Sequence, residues 1–413
     1  MTHTATPLTA PELARRAGVD ALDYLRSRGF VQDVTDAEGL SAAFAAGPVT
    51  FYNGYDATAT SLHIGNLVSI MMLASLQRFG HQPVALAGGG TTMIGDPSGK
   101  DEARQLLTVE AIERNLVGIR AQFARYLDFE GASFGDNLPA LLLNNADWLL
   151  DLRLIPFLRD IGRHFSVNEM LAAETYRVRL ETTGLSFIEF NYRVLQAYDF
   201  LHLYRTERCI LQTGGSDQWG NITAGVDLIR RADGGKAYGL VTPLIATSDG
   251  RKMGKSEAGS VWLDAAQTSP FDYYQYWINA TDEDVARFLR IFTFVPNEQI
   301  DELTAVTGEA LREAKRVLAF EATALTHGAA TAEEAAAASR ALFSRGGESL
   351  DAALTSDAAL ELALAEPLTI AELFVRAGLV TSRNEARRLA QQNGLSIDDT
   401  RVPDADAPFA PAG

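Results

Sequence analysis

Between residues 48 and 242, short apolar runs alternate with longer segments of helical period, and this constrains the fold more than any other feature of the chain. Such alternation builds an α/β sheet with mostly parallel neighbours. The predicted strands are residues 49–52, 84–87, 141–143, 209–211 and 239–241, and the first four lead into polar tips carrying Gly or Asn. Open parallel sheets bind ligands beyond the carboxyl ends of their strands, so these tips are where chemistry is expected. In the first crossover, Ile64, Leu67, Val68, Met71, Ser75 and Phe79 recur at spacings of three and four, a helical stripe facing the core.

After residue 242 the texture changes to a Gly/Lys loop and then to aromatic and acidic helical segments over 271–320. The alanine-rich run 328–343 reads as a helix without chemistry of its own. A small module starts near residue 366, with helices predicted over 370–377 and 382–393 and a turn at Gly394. The expected domains are therefore 1–245, 246–350 and 366–413. No repeat of fixed period is present.

At 413 residues, with 47% hydrophobic and 22% charged side chains, the chain has the balance of a folded globular protein; disorder and collagen-like structure are excluded. Its single cysteine, Cys209, rules out an intrachain disulfide or a four-ligand zinc site of the usual kind and fits a reducing compartment. Residues 57–77 hold Thr58, Thr60, Ser61, His63, Asn66 and Ser69, too polar for a bilayer span. No apolar run follows the first basic residue, Arg15, so a cytoplasmic protein with no secretory leader or membrane segment is expected. A net charge of -17 excludes coating of nucleic acid by bulk electrostatics but is compatible with a localised RNA site.

Residues 51–67 read FYNGYDATATSLHIGNL, a strand, a glycine-bearing turn and a helix beginning near His63. Helix N-termini offer free N–H groups and a positive dipole end, which suits phosphate. Gly65, one step inside, costs roughly 1 kcal/mol of helix propensity against alanine, and a ligand's close approach to the backbone there would compensate for it. A plain capping role for His63 is the alternative. Residues 88–100, GGGTTMIGDPSGK, lack the spacing of a P-loop, since Asp101 follows Lys100 where Ser or Thr is needed. Asp96 there is suited to an ammonium group, unless the segment is only a glycine turn.

On the helix predicted over 186–204, Tyr192, Gln196 and Asp199 fall at i, i+4 and i+7, one polar stripe separate from an apolar face of Phe190, Val194, Ala197 and Leu201. A phenol, an amide and a carboxylate beside aromatic rings suit a small polar zwitterion; a solvated face is the alternative. Residues 212–221, QTGGSDQWGN, set Asp217 after two glycines at a strand tip, where it can bind ribose hydroxyls or cap the next helix. Finally, DGRKMGKS at 249–256 puts Lys252 and Lys255 on a Gly-flanked loop, where mobile cations can meet charge developing on phosphates. In isolation that string reads equally as a solvated loop.

Together these blocks resemble the bacterial-type tyrosyl-tRNA synthetases, class I aminoacyl-tRNA synthetases. HIGN at 63–66 is similar to the family's HIGH element and KMGKS at 252–256 to its KMSKS element, while GDPSGK, EFNYRVLQAYDF and LQTGGSDQWGN match further blocks in the same order. The similarity runs from about Leu22 to beyond Ala390. It implies a Rossmann-like nucleotide-binding catalytic domain with a parallel sheet, an α-helical domain on the anticodon side, and a small α+β RNA-binding domain. It also implies activation of L-tyrosine by ATP, accompanied by Mg²⁺, and transfer to tRNA(Tyr), by a cytoplasmic homodimer with no protein-bound metal cluster.

Carried over by position, the resemblance assigns Tyr52 and Asp199 to the substrate phenol, Asp96, Tyr192 and Gln196 to its ammonium group, and Gln218 to its carboxylate, supported by Gln212. Gly54, Asp56, Gly215 and Asp217 would line the nucleotide site, with Asn66 there as well. Thr58 and His63 would stabilise the phosphates, joined by Lys100, Arg104, Lys252 and Lys255. Phe187 matches an interface position, although the residue alone reads equally as core.

Three departures stand out. Asn66 replaces the second histidine of HIGH, keeping a hydrogen-bond donor. Gly254 replaces the first serine of KMSKS, which is expected to add loop freedom. The C-terminal segment resembles an RNA-binding domain shared with a small-subunit ribosomal protein, and Arg383, Arg387 and Arg388 make a basic helical face that can contact phosphate. It ends at Gly413 after an Ala/Pro-rich tail, so an incomplete or divergent module is expected. Two other readings stay open: a related class I synthetase for another aromatic amino acid, chiefly tryptophan, and a non-catalytic RNA-binding paralogue. The Tyr52/Asp199 pair argues against the first, and retention of Thr58, His63, Lys252 and Lys255 against the second.

Overall fold

The computed structural model describes residues 8–96, 108–172, 174–182, 184–248, 253–256, 259–343, 368–377, 379–380, 382–391, 395–397 and 400–409. Its central sheet has six strands: β1 (Asp33–Val34), β2 (Thr50–Tyr55), β3 (Gln82–Ala87), β4 (Leu141–Asn144), β5 (Cys209–Gly215) and β6 (Tyr238–Thr242). They lie in the order β1-β6-β5-β2-β3-β4. All five predicted strands are present and pair in parallel. The edge strand β1, antiparallel to β6, was not expected, because two residues carry no readable period.

Strand β5 extends four residues past its predicted end. Gln212, Thr213, Gly214 and Gly215 continue the ladder against Gly239, Leu240, Val241 and Thr242. Glycine is a weak strand former by propensity, but a ladder on a flanking strand overrides that preference. The consequence matters for function, because the chain builds outward from β2 through β3 to β4 and then returns to the other side of β2 as β5. The crevice between the carboxyl ends of β2 and β5 is therefore the switch point of the sheet.

The first crossover helix, Ile64–Arg78, is buried on nearly every side, and all six residues of the predicted stripe are buried. Each fully buried aliphatic side chain of this kind contributes about 1.5–3 kcal/mol. The crossovers that flank the site carry helices Phe187–Glu207 and Trp219–Asp233. Both end in the left-handed conformation, at Arg208 and Gly234.

Helices Pro270–Ile278, Asp282–Phe292, Asn297–Thr304 and Arg312–His327 follow, with Tyr273, Trp277, Phe288 and Phe292 in their aromatic core. Buried Arg28 donates to the carbonyls of Leu289, Thr293 and Val295, satisfying acceptors that a helix C-terminus leaves open. The chain divides into two compact units, residues 1–336 and 337–413. The second has its own small core, including Ala371, Val380, Ala386, Leu395 and Val402, and a short antiparallel pair, Ser396–Ile397 with Thr400–Arg401. No described helix is long and apolar enough to cross a membrane.

Candidate active site

A cleft of about 630 Å³ opens at the switch point. It is lined by Tyr52, Gly54, Asp56, Thr58, His63, Asn66, Asp96, Tyr192, Gln196, Asp199, Gln212, Gly215, Asp217 and Gln218, so residues nominated from four separate segments share one cavity. Lys100, Arg104 and Lys252 lie outside the described residues, and Lys255 is described by its backbone alone.

At the floor, Tyr52 on β2 and Asp199 on helix Phe187–Glu207 are 1% and 2% exposed. The Tyr52 ring meets Phe200 edge-on, with centroids 5.4 Å apart. Its hydroxyl is fully buried and no described residue hydrogen-bonds to it. Asp199, in contrast, receives two donors: Asn145 Nδ2 at 2.9 Å and Trp148 Nε1 at 2.8 Å. Burial pushes its carboxyl up to about 7, opposed by those same donors. Burial, with the nearby Asp199 charge second, holds the Tyr52 phenol well above its ordinary range and hence protonated.

Neither Asn145 nor Trp148 was nominated from the sequence. Asn145 follows β4 and braces the floor from three sides, since its side chain also donates to Thr91 Oγ1 at 3.0 Å and accepts from the Gly90 N–H at 2.8 Å. The signal was its place at a polar strand tip. Trp148 follows within a single helical turn, and its indole stacks on His202 with centroids 4.3 Å apart.

One wall carries a chain of amide hydrogen bonds. Gln218 Nε2 donates to Asp96 Oδ2 at 2.7 Å, and Asn221 Nδ2 donates to the side-chain oxygens of both Gln196 and Gln218 at 3.1 Å. Asn221, only 4% exposed and in the first turn of helix Trp219–Asp233, thereby fixes the two glutamines; it too was missed, hidden among the polar residues of 212–221. Buried polar chains of this kind hold their members in one arrangement. Asp217 lies in the 3-10 turn Ser216–Gln218, and the N-cap of helix Trp219–Asp233 is Gln218, so the capping alternative for Asp217 is not what forms.

At the other end of the cleft, His63 is the N-cap residue of helix Ile64–Arg78, and its backbone N–H donates to Asn66 Oδ1 at 3.1 Å. Asn66 therefore spends its oxygen on the helix start. The segment after the Gly/Lys loop lies alongside: the Ile64 N–H donates to the Val261 carbonyl and the Leu263 N–H to the Leu62 carbonyl. The loop itself closes through β7 (Lys255–Ser256) and β8 (Gly259–Ser260).

Gly254 corrects one expectation. Its φ is +78°, and a Cβ built there would stand 2.9 Å from the Gly65 nitrogen. Glycine is required at this contact by conformation and by closeness, so it seats the loop instead of loosening it.

The arginine face of the second unit is occupied by its own carboxylates. Arg383 pairs with Glu372 at 2.6 Å, Arg387 with Asp406 at 2.9 Å, and Arg388 with Glu385 at 4.0 Å. Phe187, 82% exposed, is not core.

Comparison with known proteins agrees with this geometry. Residues 45–344 match the family model for tRNA synthetases class I (W and Y). A tyrosine–tRNA ligase from Desulfosudis oleivorans is 52% identical over 404 residues, covering 93% of this chain and 92% of the relative. Another, from Rhodospirillum rubrum, is 51% identical over 393 residues, covering 95% and 92%. Among solved structures, a C-terminally truncated mitochondrial tyrosyl-tRNA synthetase of Aspergillus nidulans superposes with a TM-score of 0.72 at 30% identity, over 80% of this chain and 97% of that one. The chain belongs to the class I tRNA synthetases of the tryptophan and tyrosine group.

Proposed function

We propose that the chain is a tyrosine–tRNA ligase, which joins L-tyrosine to ATP as tyrosyl-adenylate with release of pyrophosphate and then passes tyrosine to the 3' end of tRNA(Tyr). The observation that carries this reading is the floor of the cleft, where a buried Tyr52 hydroxyl without a partner stands with a twice-braced Asp199 carboxylate. A substrate phenol satisfies both groups at once, donating to the carboxylate and exchanging a hydrogen bond with Tyr52. A tryptophan side chain has no hydroxyl to offer, and phenylalanine would leave both groups unpaired. Tyrosine–tRNA ligases are themselves the standard case of such discrimination, about 10⁵-fold without editing, and that magnitude is taken from them.

From this anchor the substrate's ammonium group reaches the wall of Asp96, Tyr192 and Gln196, with Gln218 at its carboxylate. The wall's hydrogen-bond chain from Asp96 to Gln196 supports that assignment. The substrate carboxylate oxygen attacks the α-phosphorus of ATP, that bond forms, and the bond to the bridging oxygen of pyrophosphate breaks. No side chain acts as nucleophile, so the enzyme works by positioning and by charge stabilisation. Gly54, Asp56, Gly215 and Asp217 hold the nucleotide. Thr58, His63 and Asn66 at the helix mouth meet the phosphates, with Lys100, Arg104, Lys252 and Lys255 as the cations, and Mg²⁺ enters as part of the ATP substrate. In the second step a ribose hydroxyl of the terminal tRNA nucleotide attacks the carbonyl carbon, and AMP leaves.

The cytoplasmic setting follows from this role. Self-association into a homodimer is supported by the exposed apolar side chains of Leu154, Ile155, Leu158 and Phe187. Sedimentation of the full chain tests it, and a monomer at micromolar concentration would refute it.

Tyrosine-dependent exchange of labelled pyrophosphate into ATP, followed by charging of tRNA(Tyr), tests the reading. Exchange with tyrosine but not with tryptophan or phenylalanine is expected; exchange with tryptophan instead would overturn the assignment.

A further inference from the structure

We propose that Tyr276 is a positioning residue for the activation step, holding the Met253–Gly254 turn seated against the start of the His63 helix. The inference rests on the proposed function, because it is the adenylate-forming step that the seated loop serves.

Two contacts grip the loop at Met253 and Gly254 from opposite sides. On one side is the HIGN segment. The Gly254 backbone approaches so closely that a Cβ would meet the Gly65 nitrogen at 2.9 Å and Ile64 Cβ at 3.4 Å. A Cβ at Gly65 would in turn lie 3.6 Å from the Met253 carbonyl oxygen and under 3.0 Å from the His63 ring. Glycine at 254 thus leaves room for the two backbones to touch, and glycine at 65 leaves room for the His63 ring.

On the other side is helix Pro270–Ile278. The Gly254 N–H donates to Tyr276 Oη at 3.1 Å, and the Tyr276 hydroxyl donates to Met253 Sδ at 3.4 Å. Met253 is itself buried. One hydroxyl therefore ties both the backbone of Gly254 and the side chain of Met253, and the Tyr276 ring is set edge-on to fully buried Trp277, with centroids 5.2 Å apart. The Gly254 carbonyl accepts from the Val261 N–H at 2.8 Å, joining this grip to the strand segment that runs beside residues 62–64.

These contacts settle the backbone immediately before Lys255. With its φ of +78°, Gly254 turns the chain at that point, and the turn holds only while both neighbours remain in place. Removing the hydroxyl loosens the turn without touching the tyrosine end of the cleft, where Tyr52, Asp199 and Asn145 stand on other elements. The loss should fall on the rate of adenylate formation and spare tyrosine binding.

The test uses the full chain as wild type, Tyr276→Phe and Gly254→Ala. Tyrosine affinity is read by equilibrium dialysis, and the adenylate-forming rate by single-turnover mixing with Mg²⁺ and ATP. Phenylalanine keeps the ring and its packing, so Tyr276→Phe should fold; it should lower the rate about fivefold, the size of one neutral hydrogen bond, with tyrosine affinity within about twofold of wild type. Gly254→Ala attacks the same seat from the opposite side and should lower the rate by at least as much, again sparing tyrosine affinity. Wild-type rates in both variants would overturn the proposal, as would a parallel loss of tyrosine affinity, which marks a general structural role. Failure of the wild type itself to form adenylate would instead sink the proposed function.

Discussion

The two ends of the cleft are built on different principles. At the amino-acid end, Tyr52, Asp199 and Asn145 are buried side chains fixed by packing and hydrogen bonds. At the phosphate end, Thr58 is exposed and His63 and Asn66 are half-buried, and what holds the region together is backbone: a helix start, a glycine contact and a strand segment laid beside it. Selection between similar side chains needs groups that cannot relax when the wrong substrate enters, because an unpaired buried polar group then costs its full desolvation. Stabilising a transferring phosphate needs donors at the right place, which helix termini and loops supply while still letting a large polyanion in and out.

That contrast is most exposed to failure at Asp199. Asp199→Ala should reduce the ratio of kcat/KM for tyrosine over phenylalanine by about 10²- to 10³-fold, as measured by pyrophosphate exchange. An unchanged ratio would mean that selection resides elsewhere. At the opposite end, His63→Ala should slow adenylate formation about 10²-fold with tyrosine affinity within about twofold, the size expected for one lost oxyanion-type donor. A shared loss in both quantities would erase the division between the two ends.

Smaller effects sharpen the comparison. Asn145→Ala removes one of the donors that oppose burial at Asp199, so tyrosine affinity should drop about tenfold and its pH midpoint should rise. In the wild type, the Asp199 carboxyl is pushed up to about 7, so tyrosine should bind about tenfold more weakly at pH 6 than at pH 8, where the carboxylate is ionised and accepts the phenol. The sign for stability is opposite. The folded, ligand-free chain keeps a proton that the unfolded chain releases near pH 4, so this group's contribution to stability is lost as pH rises toward 7. A denaturation series comparing wild type with Asp199→Asn checks it. The smallest effect belongs to the second unit: Arg387→Gln should change the rate of tRNA charging by less than about twofold, because Arg387 already spends its donors on Asp406. A large loss with a flatter salt dependence would show instead that the arginine exchanges its partner for phosphate.

The legibility of the sequence follows the same division. The strands, the crossover stripe on Ile64–Arg78 and the cleft-lining side chains could be read because each sits at a strand tip or in a helical period, where local pattern and tertiary role coincide. Asn145 and Trp148 could not, because their role is to hold Asp199, and no local spacing encodes a partner 54 or 51 residues away; Asn221 could not, because it ties Gln218 to Gln196 on another helix 25 residues away. Gly254 was misread for a related reason. Glycine's freedom is visible in a sequence, but the Gly65 backbone that makes it obligatory is not. Arg383 and Arg387 were read only as part of a basic face able to contact phosphate, because their carboxylate partners Glu372 and Asp406 lie outside the helix that carries them, whereas Glu385, the partner of Arg388, lies on it.

The central claim is that the Tyr52 hydroxyl and the Asp199 carboxylate together bind a phenol, and a crystal structure of the full chain with L-tyrosine measures this directly. The substrate's phenolic oxygen should lie within hydrogen-bond distance, about 2.5–3.0 Å, of both Tyr52 Oη and Asp199, with the Asn145 and Trp148 donors unmoved. A bound tyrosine that leaves Tyr52 Oη without a partner, or that presents its ammonium group to Asp199, would contradict the account.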